Sequence, residues 1–121
     1  MPKLSIAGEG TFDVEEGRRL VRAIEDCGVD IGHRCGGFAR CTTCRVRFVS
    51  GEPARTTRAE RDKLQEVGLA GQLRLSCQCL VEGDMELEVL MRVSEQGWSD
   101  PGPTPEPAIT PPPEWINIPE G

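Results

Sequence analysis

The 121-residue chain predicts a mixed α+β domain followed by a proline-rich extension, and three observations carry the prediction. Apolar and polar residues alternate near both ends of residues 1–94, as in strands with one buried face. Two amphipathic stretches with helix start and stop signals lie between those ends. All six cysteines fall within residues 1–94, three of them in a Gly-rich loop, whereas eight of the ten prolines fall in residues 95–121.

Each element has its own signal. Leu4 and Ile6, then Phe12 and Val14, alternate on either side of Gly8-Glu9-Gly10, which predicts a hairpin. Leu20, Ile24 and Cys27 recur at i, i+4 and i+7, which predicts a helix over 18–27 ended by Gly28. Residues 32–44 are rich in Gly and Cys and read as loop. Val46 and Phe48, set between Arg45 and Arg47, predict a third strand. Thr57 and Glu60 have capping-box spacing before a short helix that carries Leu64 and Val67 and stops at Gly68. Leu73, Leu75, Cys77, Cys79 and Val81 alternate, which predicts an extended segment. Met85, Leu87, Val89 and Met91 alternate with acidic residues in a final strand. The predicted order is β-β-α-loop-β-α-β-β.

The formal net charge is −6, but the charge is unevenly spread. Residues 95–121 hold five acidic residues and no Lys or Arg, which leaves 15 acids against 14 bases in residues 1–94. The net charge of −6 argues against a strongly basic nucleic-acid binder. No apolar run approaches the roughly 20 residues of a membrane span. The first ten residues lack the basic and apolar regions of a secretory signal. The expected compartment is therefore the reducing cytoplasm, where cysteines bind metals or react more often than they form disulfides. His33 is the single histidine, which excludes two-histidine zinc and Rieske sites. No Ser-His-acid set or phosphate loop supports an enzyme. The predicted division is a domain over 1–94 and an acidic, Pro-rich tail over 95–121. Trp98 and Trp115 both lie in that tail, and Trp115-Ile116-Asn117-Ile118 is apolar enough to pack on its own domain or a neighbouring chain, or to add a strand to a sheet edge.

The cysteines carry the chemistry. Cys35-x5-Cys41-x2-Cys44 sits on the Gly-rich loop, and Cys77 follows after 32 intervening residues. Thiolates suit soft metal centres, and four of them suit zinc or iron–sulfur. Gly36 and Gly37 allow the backbone to wrap closely and to aim N–H groups at sulfur. A zinc site would combine Cys41 and Cys44 with Cys77 and Cys79 and would leave Cys35 idle. Cys27, on the apolar helix face, and Cys79, on the strand face shared with Leu75 and Cys77, are expected in the core. His33 reads as a loop residue. Arg34, Arg40 and Arg45 flank the cysteines, either favouring added negative charge there or pairing with nearby acids.

The run Arg34-Cys35-Gly36-Gly37-Phe38-Ala39-Arg40-Cys41-Thr42-Thr43-Cys44, with Arg74-Leu75-Ser76-Cys77-Gln78 downstream, resembles the 2Fe–2S ferredoxins. The plant-type spacing is C-x4-C-x2-C with a distant fourth cysteine. The five-residue first gap resembles the adrenodoxin and putidaredoxin branch, and the Gly-Gly-x-Ala-x-Cys-Thr-Thr-Cys wording resembles bacterial ferredoxins outside both branches. The resemblance spans Lys3 to Arg92 and implies a β-grasp (ubiquitin-like) fold. It implies one 2Fe–2S cluster with Cys35, Cys41, Cys44 and Cys77 as ligands, the first two on one iron and the last two on the other. It implies a small one-electron carrier that docks transiently, through residues 34–44, with a ferredoxin reductase and with acceptor redox enzymes. Glu82, Asp84, Glu86 and Glu88 are a candidate docking patch, or else the solvent face of an edge strand. A second reading is a redox-sensing or interaction module whose cluster state controls a partner contact through the tail.

Overall fold

The computed structural model describes residues 2–32, 43–69, 71–93, 105–110 and 112–117. The loop residues His33, Arg34, Cys35, Arg40 and Cys41 lie outside them, as does Trp98. The hairpin forms as predicted: β1 (Lys3–Ile6) pairs antiparallel with β2 (Gly10–Asp13), with Leu4 opposite Phe12. Its turn uses Gly8 and Gly10 at φ of 80° and 116°, a region that L side chains rarely adopt.

Helix α1 (Leu20–Asp26) buries Leu20, Val21, Ala23 and Ile24, and the chain leaves it through Gly28 at φ 86°. Strands β3 (Arg45–Ser50) and β4 (Arg55–Thr57) lead into α2 (Arg58–Glu66). Thr57 caps α2, its hydroxyl accepting from the Glu60 N–H at 3.1 Å. β5 (Arg74–Leu75), one 3₁₀ turn (Ser76–Gln78), β6 (Met85–Val89) and β7 (Trp115–Asn117) complete the elements.

Five strands form one mixed sheet in the order β2-β1-β6-β3-β5. β6 runs parallel to β1 and antiparallel to β3. Leu4 and Ile6 of β1, Leu20 and Ile24 of α1, Val46 of β3 and Leu87 of β6 close a single core. This is the β-grasp arrangement. Among the described residues no helix is long and apolar enough to cross a membrane.

Two expectations are corrected. Residues 73–81 do not form one long strand: β5 has two residues and then turns. Every residue from Leu73 to Cys79 is buried, so the alternation there does not mark an inner and an outer face. Arg74, Ser76 and Gln78 point inward because each has buried hydrogen-bond partners. The acidic residues after Val81 are not on an edge strand either, since β6 lies between β1 and β3. Glu88 pairs with Arg47 at 2.8 Å, Glu82 with Arg55 at 3.3 Å, and Asp84 accepts from the Lys3 N–H at 2.9 Å. Two of the four acids thus already have arginine partners.

β7 pairs antiparallel with β4, Thr57 opposite Trp115 and Thr56 opposite Ile116. The Arg58 N–H donates to the Glu114 carbonyl at 2.9 Å, and the two side chains form an ion pair at 3.1 Å. The Arg55 guanidinium lies 4.2 Å from the Trp115 ring centroid, a cation–π distance.

Candidate metal centre

The pairing of β3 with β5, Arg45 opposite Leu75 and Val46 opposite Arg74, brings Ser76 opposite Cys44. The Ser76 N–H and hydroxyl both donate to the Cys44 carbonyl, at 3.1 and 2.8 Å. Two segments far apart in sequence are thus joined at the residue before Cys77. Cys44 and Cys77 are both buried, at 1% and 0% exposure. Buried soft sulfur donors on two adjoining segments suit a thiolate-bound metal centre. Among the described residues no three metal-ligating side chains converge. Cys44, Cys77 and Cys79 are all described and do not converge as a group of three, whereas Cys35 and Cys41 lie outside the described residues.

Two buried cations hold the Cys77 turn. On one side, the Glu60 carboxylate accepts from the Leu75 N–H at 2.7 Å, from Arg74 Nε and Nη2 at 2.8 and 3.0 Å, and from the Thr56 hydroxyl at 2.7 Å. Arg74 also donates to Glu52 at 3.2 Å and to the Pro53 and Arg55 carbonyls at 3.1 Å each. A buried ion pair is tolerable when its remaining hydrogen-bonding groups are satisfied in this way. The capping box is therefore only half formed: Glu60 turns to Arg74 instead of back to the helix start.

On the other side, Arg19 is fully buried and its Nε donates to the Cys77 carbonyl at 2.6 Å. Its Nη1 donates to the Glu106 and Ala108 carbonyls at 2.9 and 3.1 Å, and Nη2 reaches the Thr110 hydroxyl at 3.4 Å. Arg22 donates to the Pro105 carbonyl at 2.6 Å, and the Leu20 N–H donates to the Cys79 carbonyl at 2.8 Å. Gln78, next in the chain after Cys77, has its Nε2 3.7 Å from the Cys77 sulfur. The same Nε2 donates to the Thr110 carbonyl at 2.8 Å, and Oε1 accepts from the Thr57 hydroxyl at 2.7 Å.

Cys27, Cys44, Cys77 and Cys79 are all free, so Cys27 and Cys79 form no disulfide. Cys79 is a core thiol whose Sγ donates to the Leu75 carbonyl at 3.5 Å. Burial, and next the Glu60 carboxylate, push that thiol well above its ordinary range and keep it neutral. Cys27 is half-buried against the core, and burial followed by the Asp26 charge raises it as well.

Arg19, Glu60, Arg74 and Gln78 are not foreshadowed by the apolar pattern. Arg19 precedes the first apolar residue of α1 and reads as a solvated helix start. Gln78 falls on the polar phase of the alternation. The one available signal was the density of arginine, twelve of the fourteen basic residues, since the planar guanidinium is the cation best suited to burial.

Residues 4–82 match the family described as 2Fe-2S iron-sulfur cluster binding domain. The chain is 40% identical over 89 residues to one component of the Na(+)-translocating NADH-quinone reductase of Chlamydia pneumoniae, covering 72% of this chain and 20% of that protein. It thus spans about a fifth of the length of that relative. It is 37% identical over 93 residues to a 2Fe-2S ferredoxin of Haemophilus influenzae, covering 74% of this chain and 81% of the relative. Among solved structures, the ISC-like [2Fe-2S] ferredoxin of Pseudomonas putida matches with a TM-score of 0.62 and 28% identity, over 74% of this chain and 93% of that one.

Proposed function

The chain belongs to the 2Fe–2S ferredoxin family, and from that membership we propose that it is a one-electron carrier, not a catalyst, with its cluster held by Cys35, Cys41, Cys44 and Cys77. Its cofactor is one 2Fe–2S cluster. When bound, that group accepts and releases single electrons without atom transfer. The protein's part is to hold four thiolates, exclude water from them and leave one side open to partners. The observation that carries the ligand assignment is the Ser76–Cys44 junction, which sets two buried cysteines on adjoining segments. The Cys35-x5-Cys41-x2-Cys44 spacing supports the other two.

The partners are a reductase and an acceptor redox enzyme, met in brief, weak, salt-sensitive encounters of small area. The related domain in a component of a quinone reductase supports donors of that class. Residues 1–94 are the cluster domain and 95–121 an extension, a division supported by the charge and proline boundary. Four free thiols among the described residues fit a reducing cytoplasm. One observation favours the second reading, a redox-controlled contact through the tail: tail carbonyls bond to Arg19, which bonds to Cys77.

Protein purified without oxygen should be brown, with two iron and two sulfide per chain. Cys77→Ser should abolish or alter the visible spectrum, and Cys79→Ser should leave it unchanged. A colourless protein with one zinc, or a large effect confined to Cys79→Ser, would overturn the assignment. A partner whose affinity changes more than tenfold on reduction would favour the sensing reading over the carrier.

A further inference from the structure

We propose that Gln78 is a positioning residue that raises the reduction potential by donating its side-chain amide to the Cys77 sulfur, and that the Thr110 carbonyl of the tail selects the amide end facing that sulfur. The proposal rests on Cys77 being a ligand.

The two ends of a glutamine amide are chemical opposites: Nε2 only donates and Oε1 only accepts. The Thr57 hydroxyl does not choose between them, because a hydroxyl can give or take a hydrogen bond. The Thr110 carbonyl does choose, because it only accepts. With Nε2 bonded to Thr110 at 2.8 Å, its second hydrogen is available to the Cys77 sulfur at 3.7 Å, and Oε1 is left to the Thr57 hydroxyl. Without the Thr110 carbonyl, a turned amide would satisfy Thr57 equally well and would set a carbonyl oxygen against the sulfur.

The two orientations act oppositely on an added electron. A donor to a ligand sulfur stabilises the more negative, reduced state, and an acceptor disfavours it. The tail segment holding Thr110 is seated by several contacts. Arg19 takes the Glu106 and Ala108 carbonyls, Arg22 takes the Pro105 carbonyl, and Ile109 is buried at 5% exposure. The position of the tail thereby reaches the Cys77 sulfur through Gln78, beside the Arg19 link to the Cys77 carbonyl.

The test uses full-length, cluster-loaded protein under anaerobic conditions. Gln78→Leu removes the donor at similar size. Ile109→Asp unseats the tail, which limited proteolysis verifies, and Arg22→Leu replaces it where Ile109→Asp does not load a cluster. The reduction equilibrium of Gln78→Leu should shift three- to tenfold toward the oxidised form, about 28–59 mV at 59 mV per decade. The tail variant should shift in the same direction and add less than half of its own effect when combined with Gln78→Leu, because both act through one amide. A purely structural role would lower melting temperatures and leave the potential unchanged, and that result overturns the proposal. Additive shifts overturn the role of Thr110. Cys77→Ser separates the two levels. If that variant keeps the wild-type spectrum and iron content, the ligand assignment fails and takes the proposal with it. If it loses them while Gln78→Leu keeps the wild-type potential, the proposal alone fails.

Discussion

Replacing Glu60 by Gln keeps the shape of the side chain and removes its charge at a fully buried site. The carboxylate receives four hydrogen bonds, two from Arg74, one from the Leu75 N–H and one from the Thr56 hydroxyl. A glutamine offers one acceptor oxygen, and its NH2 must face at least one group that only donates. Arg74, itself buried, keeps its charge and retains, besides two backbone carbonyls, the Glu52 carboxylate at 3.2 Å, which is 46% exposed. Removing one partner of a buried pair costs about 3–5 kcal/mol, and the remaining Glu52 contact places the expectation near the lower end, about 3 kcal/mol. For a domain of this size that corresponds to a melting temperature lower by roughly 10–20 °C. Thermal melts of the loaded protein at one fixed scan rate provide the comparison, because cofactor loss makes unfolding irreversible. The double variant Glu60→Leu with Arg74→Met removes both charges and should cost less than Glu60→Gln alone. A drop under about 3 °C for Glu60→Gln, equivalent to less than 1 kcal/mol, would refute the reasoning. So would a double variant less stable than the single one.

Other outcomes follow from particular positions. Gly51 sits at φ 75°, and a Cβ there would lie 2.2 Å from the Asp84 carbonyl oxygen, so Gly51→Ala should cost about 2–4 kcal/mol. Gly68→Ala, at the same φ with open space around it, should cost only about 1 kcal/mol, and equal melting shifts would reject the clash. The raised Cys27 thiol should react more slowly with iodoacetamide than an unperturbed cysteine, and faster as pH rises, because the thiolate is the nucleophile. Cys79 should remain unlabelled until the protein unfolds, as mass spectrometry of the labelled chain will read. Trp115→Ala removes the ring under Arg55 and should cost about 1 kcal/mol, with faster proteolytic cleavage near β7.

The parts of the fold that alternate with one wet face were legible. β1, β2, β3 and β6 each lie where apolar residues recur every second position, and α1 lies where they recur every third and fourth. Thr57 was legible as a cap because its short hydroxyl and the following Glu60 leave few other roles. Residues 73–81 were misread because period two assumes one exposed face, and here the polar phase is buried too. Arg74 and Gln78 satisfy themselves on α2, β4 and the tail, partners that no local window contains. Of the candidate site, the pairing of Cys44 with the Cys77 turn is a register fact that spacing only hinted at. Cys35 and Cys41 lie outside the described residues, so their place rests on the loop spacing.

The order in which the chain is made gives the Arg19 contacts a temporal meaning. Arg19 is synthesised with α1, 87–91 residues before three of its acceptors, on Glu106, Ala108 and Thr110. A nascent chain that has emerged only through β6 must carry that cation without them, beside the Cys77 carbonyl. The surroundings of Cys77 are therefore completed only once Thr110 has emerged, and before that point they differ electrostatically from the finished ones.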